Sequence, residues 1–88
     1  MARILIADDD AHIARVLGMW LERHGHQVTI VGNGELALRS FEQTPADLVI
    51  SDMNMPVLDG VGLVKSLRER SGRELPIVVL TARCDQVS

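Results

Sequence analysis

Four polar side chains that can bind metal ions or phosphate stand directly after apolar runs in this sequence. They are Asp8 and Asp9 after residues 3–7, Asp52 after residues 46–51, and Thr81 after residues 76–80. Short continuous apolar runs indicate strands buried on both faces, as in parallel sheets. Because the carboxyl ends of parallel strands lie along one edge of the sheet, we expect these side chains to converge at that edge.

Carboxylates brought together in this way favour the binding of a cation. Neighbouring ionised carboxylates repel one another, and each raises the affinity of the others for protons. A hard divalent cation relieves that repulsion, and Mg²⁺ suits a few carboxylates plus waters. We therefore predict a Mg²⁺ site at Asp8, Asp9 and Asp52, whereas Asp10 is expected to serve as the N-cap of the helix that follows it.

The remainder of the sequence alternates between strand and helix patterns. The predicted strands cover residues 3–7, 27–31, 46–51 and 76–80, and the predicted helices begin at residues 11, 35 and 61 and end near residues 25, 43 and 70. The order β-α-β-α-β-α-β predicts an α/β fold with a parallel sheet and right-handed crossovers.

The first predicted helix has apolar residues at the spacing of one helix face. They are Ile13, Val16, Leu17, Trp20 and Leu21. This pattern predicts that the stripe packs on the sheet, with Trp20 in the core and Gly25 ending the helix.

Composition excludes several classes of protein. Apolar residues make up 47% and charged residues 24%, as in ordinary globular domains, and the net charge of −3 gives no general attraction to nucleic acid or anionic membranes. The single cysteine, Cys84, cannot form an internal disulfide, which favours a reducing compartment. No apolar run approaches the ~20 residues that span a bilayer. We expect one cytoplasmic domain over residues 1–88 that does not bind nucleic acid or membranes directly.

Taken in order, these motifs resemble those of the receiver domain of two-component response regulators. The motifs are Ile-Leu-Ile-Ala-Asp8-Asp9-Asp10, Leu-Val-Ile-Ser-Asp52-Met-Asn-Met-Pro56, Asp59-Gly60 and Ile-Val-Val-Leu-Thr81-Ala82. The resemblance implies a flavodoxin-like parallel sheet in the order 2-1-3-4-5 with helices on both faces. Compared with a complete receiver, the chain is expected to be truncated. It would lack the last strand, the last two helices, the family's lysine and an output domain, and this truncation is expected to impair phosphorylation.

The resemblance also implies roles for the acidic residues. Asp52 would be the phosphoacceptor, taking a phosphoryl group from a sensor histidine kinase or a phosphotransfer protein. Asp8, Asp9 and Asp52 would bind Mg²⁺ together with the backbone carbonyl of Asn54. The chain would then be a signalling module and not an enzyme.

The resemblance assigns further roles to residues around the phosphoacceptor and after the fourth strand. Thr81 and Ala82 would contact the phosphoryl group and respond to its arrival. Asn54 and Arg83 would tune hydrolysis of the acyl phosphate.

Two other interpretations stay open. Asp8 and Asp10 imitate the Asp-x-Asp pair of haloacid-dehalogenase-like phosphatases, although that interpretation leaves Asp52 unexplained. Alternatively, the chain is a structural fragment that is not phosphorylated and that self-associates. Residues 76–80 would form an unpaired apolar edge strand, which predicts a dimer or a segment-swapped oligomer.

Overall fold

A computed structural model describes residues 2–52, 60–71 and 75–80 of the chain. Its elements are β1 (Arg3–Ala7), α1 (Ala11–Arg23), β2 (Gln27–Val31), α2 (Gly34–Gln43), β3 (Leu48–Asp52), α3 (Gly60–Ser71) and β4 (Ile77–Leu80). The predicted order of elements is confirmed. The third strand begins two residues later than predicted and includes Asp52, which is therefore its last residue. Among the described helices, none is long and apolar enough to cross a membrane.

The four strands form one parallel sheet in the order β2-β1-β3-β4. This is the order that the resemblance implies for the first four strands. Ile6 of the inner strand β1 lies opposite Ile30 on one side and Ile50 on the other. Residues 4–7 of β1 are all buried, as expected for a strand covered on both faces of a parallel sheet.

The sheet separates two apolar clusters because successive side chains along a strand point to opposite faces. On one face, α2 and α3 pack against the sheet in a cluster formed by Leu5, Ala7, Ala37, Phe41, Val49, Leu63, Leu67 and Leu75. On the other face, α1 packs in a smaller cluster formed by Ile4, Ile6, Ala14, Leu21 and Ile50. Two helices thus cover one face of the described sheet and a single helix covers the other.

The prediction that Trp20 lies in the core is wrong. Trp20 is 57% exposed, and two other members of the predicted stripe, Ile13 and Val16, are 51% and 59% exposed. Only Leu21 of that stripe is buried, while Leu17 is partly buried. The side chains of Ile13, Val16 and Trp20 are turned to the side of the helix, away from its contact with the sheet.

Small residues explain this orientation of α1. The residues of α1 that are buried alongside Leu21 are Ala14 and Gly18. A Cβ atom at Gly18 would lie only 3.1 Å from Cδ1 of Ile30, so the helix backbone comes very close to the sheet at this point. The short side chains allow that close approach, and close packing then stabilises it.

The end of α1 is fixed by Gly25, as the sequence predicts. Gly25 has a φ of +88°, in the left-handed region that residues with a Cβ rarely adopt. Its N–H donates to the carbonyl of Glu22 at 3.0 Å, and the N–H of His26 donates to the carbonyl of Leu21 at 3.3 Å. These two hydrogen bonds form a Schellman motif, which turns the chain from α1 into β2.

The left-handed backbone at Gly25 predicts a measurable cost for Gly25→Ala. The free energy of unfolding should fall by about 1–2 kcal/mol, because a Cβ disfavours this conformation. Gly32→Ala is the matched control, since a Cβ at either glycine meets nothing within 4 Å and only Gly25 has a positive φ. Urea unfolding at one protein concentration measures both variants. Equal stabilities would contradict the prediction.

Candidate functional site

The carboxyl edge of the sheet brings three aspartates together. Ala7 lies opposite Ser51 in the pairing of β1 with β3, so the next residue of each chain segment, Asp8 and Asp52, follows side by side. One carboxylate oxygen from each of Asp8, Asp9 and Asp52 lies within 4.8 Å of the others. The structure therefore places close together the three carboxylates that the sequence analysis expects to converge.

Asp8 is the least exposed member of this cluster, with 9% of its surface accessible. Burial raises the pKa of its carboxyl above the ordinary value, and the charges of Asp52, Asp9 and Asp10 raise the pKa further. One interaction acts the other way, because the N–H of Asp10 donates to Oδ1 of Asp8 at 2.9 Å and favours the ionised form. The net effect is a carboxylate whose negative charge is poorly compensated within the protein.

The other two members of the cluster face solvent to different degrees. Asp9 is exposed and Asp52 is half-buried. The three side chains together present carboxyl oxygens, with the Asp8 group partly desolvated and the other two groups accessible to solvent. Such a donor set fits a hard divalent cation of the Mg²⁺ type, whose preferred ligands are carboxylates, carbonyls and waters.

Asp10 has a different role from its neighbours. Its Oδ1 accepts hydrogen bonds from the N–H groups of His12 at 3.1 Å and Ile13 at 3.3 Å, at the first turn of α1. The prediction that Asp10 is the N-cap is confirmed. Because these hydrogen bonds orient its carboxylate toward the helix, Asp10 is not one of the three clustered carboxylates.

Ser51 is a buried polar residue beside the cluster that the sequence analysis does not single out. It is fully buried in β3, and its hydroxyl donates to the backbone carbonyl of Asp52 at 2.9 Å. This hydrogen bond engages the backbone that carries the Asp52 carboxylate. The sequence feature that could have identified Ser51 is a small polar residue between the apolar residues 48–50 and Asp52.

The other predicted site residues lie beyond the described part of the chain. They are Asn54, Thr81, Ala82 and Arg83. Their assigned roles remain predictions.

Comparison with protein families gives one match that covers most of the chain. The family described as the response regulator receiver domain matches residues 4–88. The sensory transduction protein RegX3 of Mycolicibacterium smegmatis is 36% identical over 87 residues, which cover 99% of this chain and 37% of that protein. The DNA-binding response regulator MtrA of Mycolicibacterium paratuberculosis is 39% identical and is likewise covered over 37% of its length. The chain thus spans little more than a third of these curated relatives.

Solved structures show the same fold. Chemotaxis response regulator CheY4 of Vibrio cholerae superposes with a TM-score of 0.89 at 34% identity, covering 96% of this chain and 71% of that chain. Response regulator TrrA of Thermotoga maritima, solved in complex with Mg²⁺ and BeF, gives 0.88 at 33% identity and coverages of 99% and 75%. A chain in the complex of histidine kinase ThkA with TrrA gives 0.87 at 34% identity and coverages of 100% and 75%.

The raised pKa of Asp8 predicts that this carboxylate destabilises the metal-free fold at neutral pH. The folded state holds the Asp8 proton more tightly than the unfolded chain does. Ionisation of Asp8 therefore lowers the free energy of unfolding at pH values above its raised pKa. This loss disappears as the pH falls toward 3.8. Asp8→Asn, which keeps an oxygen for the N–H of Asp10, should raise the free energy of unfolding at pH 7, and the gain should shrink as the pH falls toward 4.

Urea unfolding with a chelator present measures this effect. The matched control is Asp9→Asn at the exposed neighbouring position, where we expect a change within about 0.5 kcal/mol. A variant Asp8→Asn that is less stable than the parent at pH 7 would show that burial of the charge is compensated in the folded state.

Proposed function

Since the chain belongs to the response regulator receiver domain family, we propose that it works in two-component signalling as a phosphoacceptor and that Asp52 receives the phosphoryl group. The observation that carries the assignment is the position of Asp52 at the end of β3, half-buried and within the three-carboxylate cluster. Asp8 is a poorer nucleophile, because it is more buried and its Oδ1 already accepts a hydrogen bond. Asp9 is exposed, and its carboxylate lacks the fixed position that the end of a strand gives to Asp52.

We propose that Mg²⁺ is the cation of this site. Asp8, Asp9 and Asp52 would hold it together with the backbone carbonyl of Asn54. When bound, Mg²⁺ neutralises the clustered carboxylates and the phosphoryl oxygens and holds them in position for transfer. The complex of TrrA with Mg²⁺ and BeF supports the same choice of cation for a chain 33% identical to this one.

The proposed reaction uses the Asp52 carboxylate as the nucleophile. A carboxylate oxygen forms a bond to phosphorus while the phosphorus–nitrogen bond of a phosphohistidine breaks. The imidazole nitrogen keeps the electron pair and takes up a proton, and Asp52 becomes an acyl phosphate. Thr81 and Ala82 would contact the transferred group, and Asn54 and Arg83 would tune its hydrolysis.

The proposed phosphodonor is a sensor histidine kinase or a phosphotransfer protein. The structural similarity to a chain in the ThkA–TrrA complex supports this class of partner. The chain would be changed by the reaction instead of turning over a substrate, so we propose that it is not an enzyme. We also propose a cytoplasmic location, with no direct contact to nucleic acid or membrane.

The capping role of Asp10 weighs against the phosphatase alternative. A haloacid-dehalogenase-like site needs the Asp8 and Asp10 carboxylates to act together on one substrate. The hydrogen bonds from His12 and Ile13 hold the Asp10 carboxylate at the start of α1 instead. Among the described residues, the carboxylates that cluster with that of Asp8 are those of Asp9 and Asp52.

We further propose that the 88-residue chain self-associates as a dimer or a segment-swapped oligomer. Strand β4 is the outer strand of the described sheet, and its Val78 and Leu80 are 45% and 39% exposed. An unpaired apolar edge of this kind is a template for pairing with another chain.

Phosphorylation of Asp52 is tested by labelling with a small phosphodonor in the presence of Mg²⁺. The parent should gain one phosphoryl group, and Asp52→Asn should gain none, because the amide is not a nucleophile of comparable strength. Asp47→Asn, at the opposite end of β3, is the control and should label like the parent. Intact-mass measurement and peptide mapping identify the site.

A label on Asp8, or one retained in Asp52→Asn, would support the phosphatase interpretation. A parent that takes no label would support the structural-fragment interpretation.

Binding of Mg²⁺ should depend on the exposed Asp9 as well as on the less exposed Asp8 and Asp52. Titration of the parent, followed by NMR or calorimetry, should give a saturable curve. In Asp9→Ala the affinity should fall by about tenfold or more, the equivalent of roughly 1.4 kcal/mol for one lost charged ligand. Asp47→Asn, which keeps an oxygen for the N–H of Arg3, serves as the control for a lost surface charge. Superimposable curves for Asp9→Ala and the parent would remove Asp9 from the site.

A further inference from the structure

Ser51 carries a hydroxyl into an apolar part of the fold. The residue is fully buried and directly precedes Asp52, the last residue of β3. Its side chain lies on the same face of the sheet as that of Val49, because residues two apart along a strand share a face. Val49 belongs to the apolar cluster on the face that α2 and α3 cover. A hydroxyl in such surroundings destabilises the fold unless it is hydrogen-bonded.

The hydroxyl of Ser51 makes a hydrogen bond to the backbone of the next residue. Its Oγ donates to the carbonyl oxygen of Asp52 at 2.9 Å. The atoms from this Oγ through both α carbons to that oxygen form a closed ring, which includes the φ and ψ torsions of Asp52. Because the side chain of Asp52 leaves from the same α carbon, restricting these torsions also restricts the direction of its carboxylate.

The carboxylate of Asp52 lies on the opposite face of the sheet from the Ser51 hydroxyl. Ile50 belongs to the cluster under α1, and Asp52 shares the face of Ile50 because it lies two residues further along β3. Ser51 therefore acts on Asp52 through the backbone, from behind the three-carboxylate cluster.

The two strand ends that form the site are held in different ways. The carboxylate of Asp8 accepts a hydrogen bond from the N–H of Asp10 at 2.9 Å, and the N–H of Asp8 donates to the carbonyl of Val31 at 3.0 Å. The Asp52 carboxylate accepts no hydrogen bond from the described part of the chain, so its oxygens are available for a cation and for phosphorus. Its position within the described structure therefore depends on its backbone.

We propose that Ser51 is a positioning residue for the Asp52 carboxylate. Its hydroxyl restricts the torsions of Asp52 at the end of β3 and so keeps the carboxylate in the 4.8 Å cluster with Asp8 and Asp9. The inference rests on the proposed function and adds a residue that contacts neither the cation nor the phosphoryl group. Reacting groups need such a fixed position, because a displacement of about 1 Å can slow a reaction on the order of 10²-fold.

Ser51→Ala tests the proposal against a matched control. Loss of the hydroxyl frees the torsions of Asp52, so labelling of Asp52 at saturating Mg²⁺ and phosphodonor should slow about tenfold. Val49→Ala is the control, since Val49 is also fully buried and lies on the same face of the same strand. It should lose stability and still label like the parent. Urea unfolding gives the folded fraction of each variant, and labelling rates are compared per folded molecule.

Two further measurements are independent of phosphorylation. In NMR spectra, the carbonyl-carbon resonance of Asp52 reports whether its oxygen accepts a hydrogen bond. It should move in Ser51→Ala and return toward the parent position in Ser51→Thr, which restores a hydroxyl. Titration with Mg²⁺ should give an affinity that is several-fold weaker in Ser51→Ala and close to that of the parent in Ser51→Thr. The labelling rate should recover in Ser51→Thr as well.

Three results would overturn the proposal. The first is Ser51→Ala labelling at the rate of the parent. The second is an equal slowing, per folded molecule, in Ser51→Ala and Val49→Ala, which would show that Ser51 acts through stability alone. The third is a folded Ser51→Thr that restores the carbonyl resonance of Asp52 and labels as slowly as Ser51→Ala. A parent that takes no label on Asp52 would remove the proposed function, and the Mg²⁺ affinities of the Ser51 variants would then decide the positioning role.

Discussion

The parallel pairing of β1 with β3 is the constraint on which the site depends. Its register sets Ala7 opposite Ser51, and the Asp8 and Asp52 carboxylates follow from that pairing. A slip of one residue would turn every side chain of a strand to the other face of the sheet. The apolar residues 4–7 of β1 are buried on both faces, so such a slip would disrupt two clusters at once. The core therefore enforces the geometry of the acidic site.

The site itself acts against the stability of the fold. Asp8 loses hydration on burial and lies beside two other carboxylates, and both effects raise its pKa. The apolar clusters on the two faces of the sheet offset this loss of stability, because a cluster of like charges does not stabilise the fold. A cation at this edge would turn the same repulsion into attraction. The arrangement suits a module whose function is to bind a metal ion and then a phosphoryl group.

Helix α1 begins at the acidic edge of the sheet and carries an exposed apolar stripe. Its first turn is capped by Asp10, the residue after the clustered Asp8 and Asp9. Its exposed stripe runs beside Leu80, which pairs with Asp52. Ala14, Gly18 and Leu21 of α1 are buried, whereas Ile13, Val16 and Trp20 remain exposed.

The sequence by itself determined the order of the elements, the N-cap at Asp10, the stop at Gly25 and the convergence of three strand-end aspartates. Each of these follows from a local pattern and from the common edge of parallel strands. Only the tertiary structure decided that Trp20 is exposed, because the apolar arc of α1 is wider than the surface that the sheet covers. Periodicity cannot tell which part of such an arc faces inward. The pKa of Asp8 was also beyond the sequence, since it depends on burial and on the charge of Asp52, which lies far away along the chain.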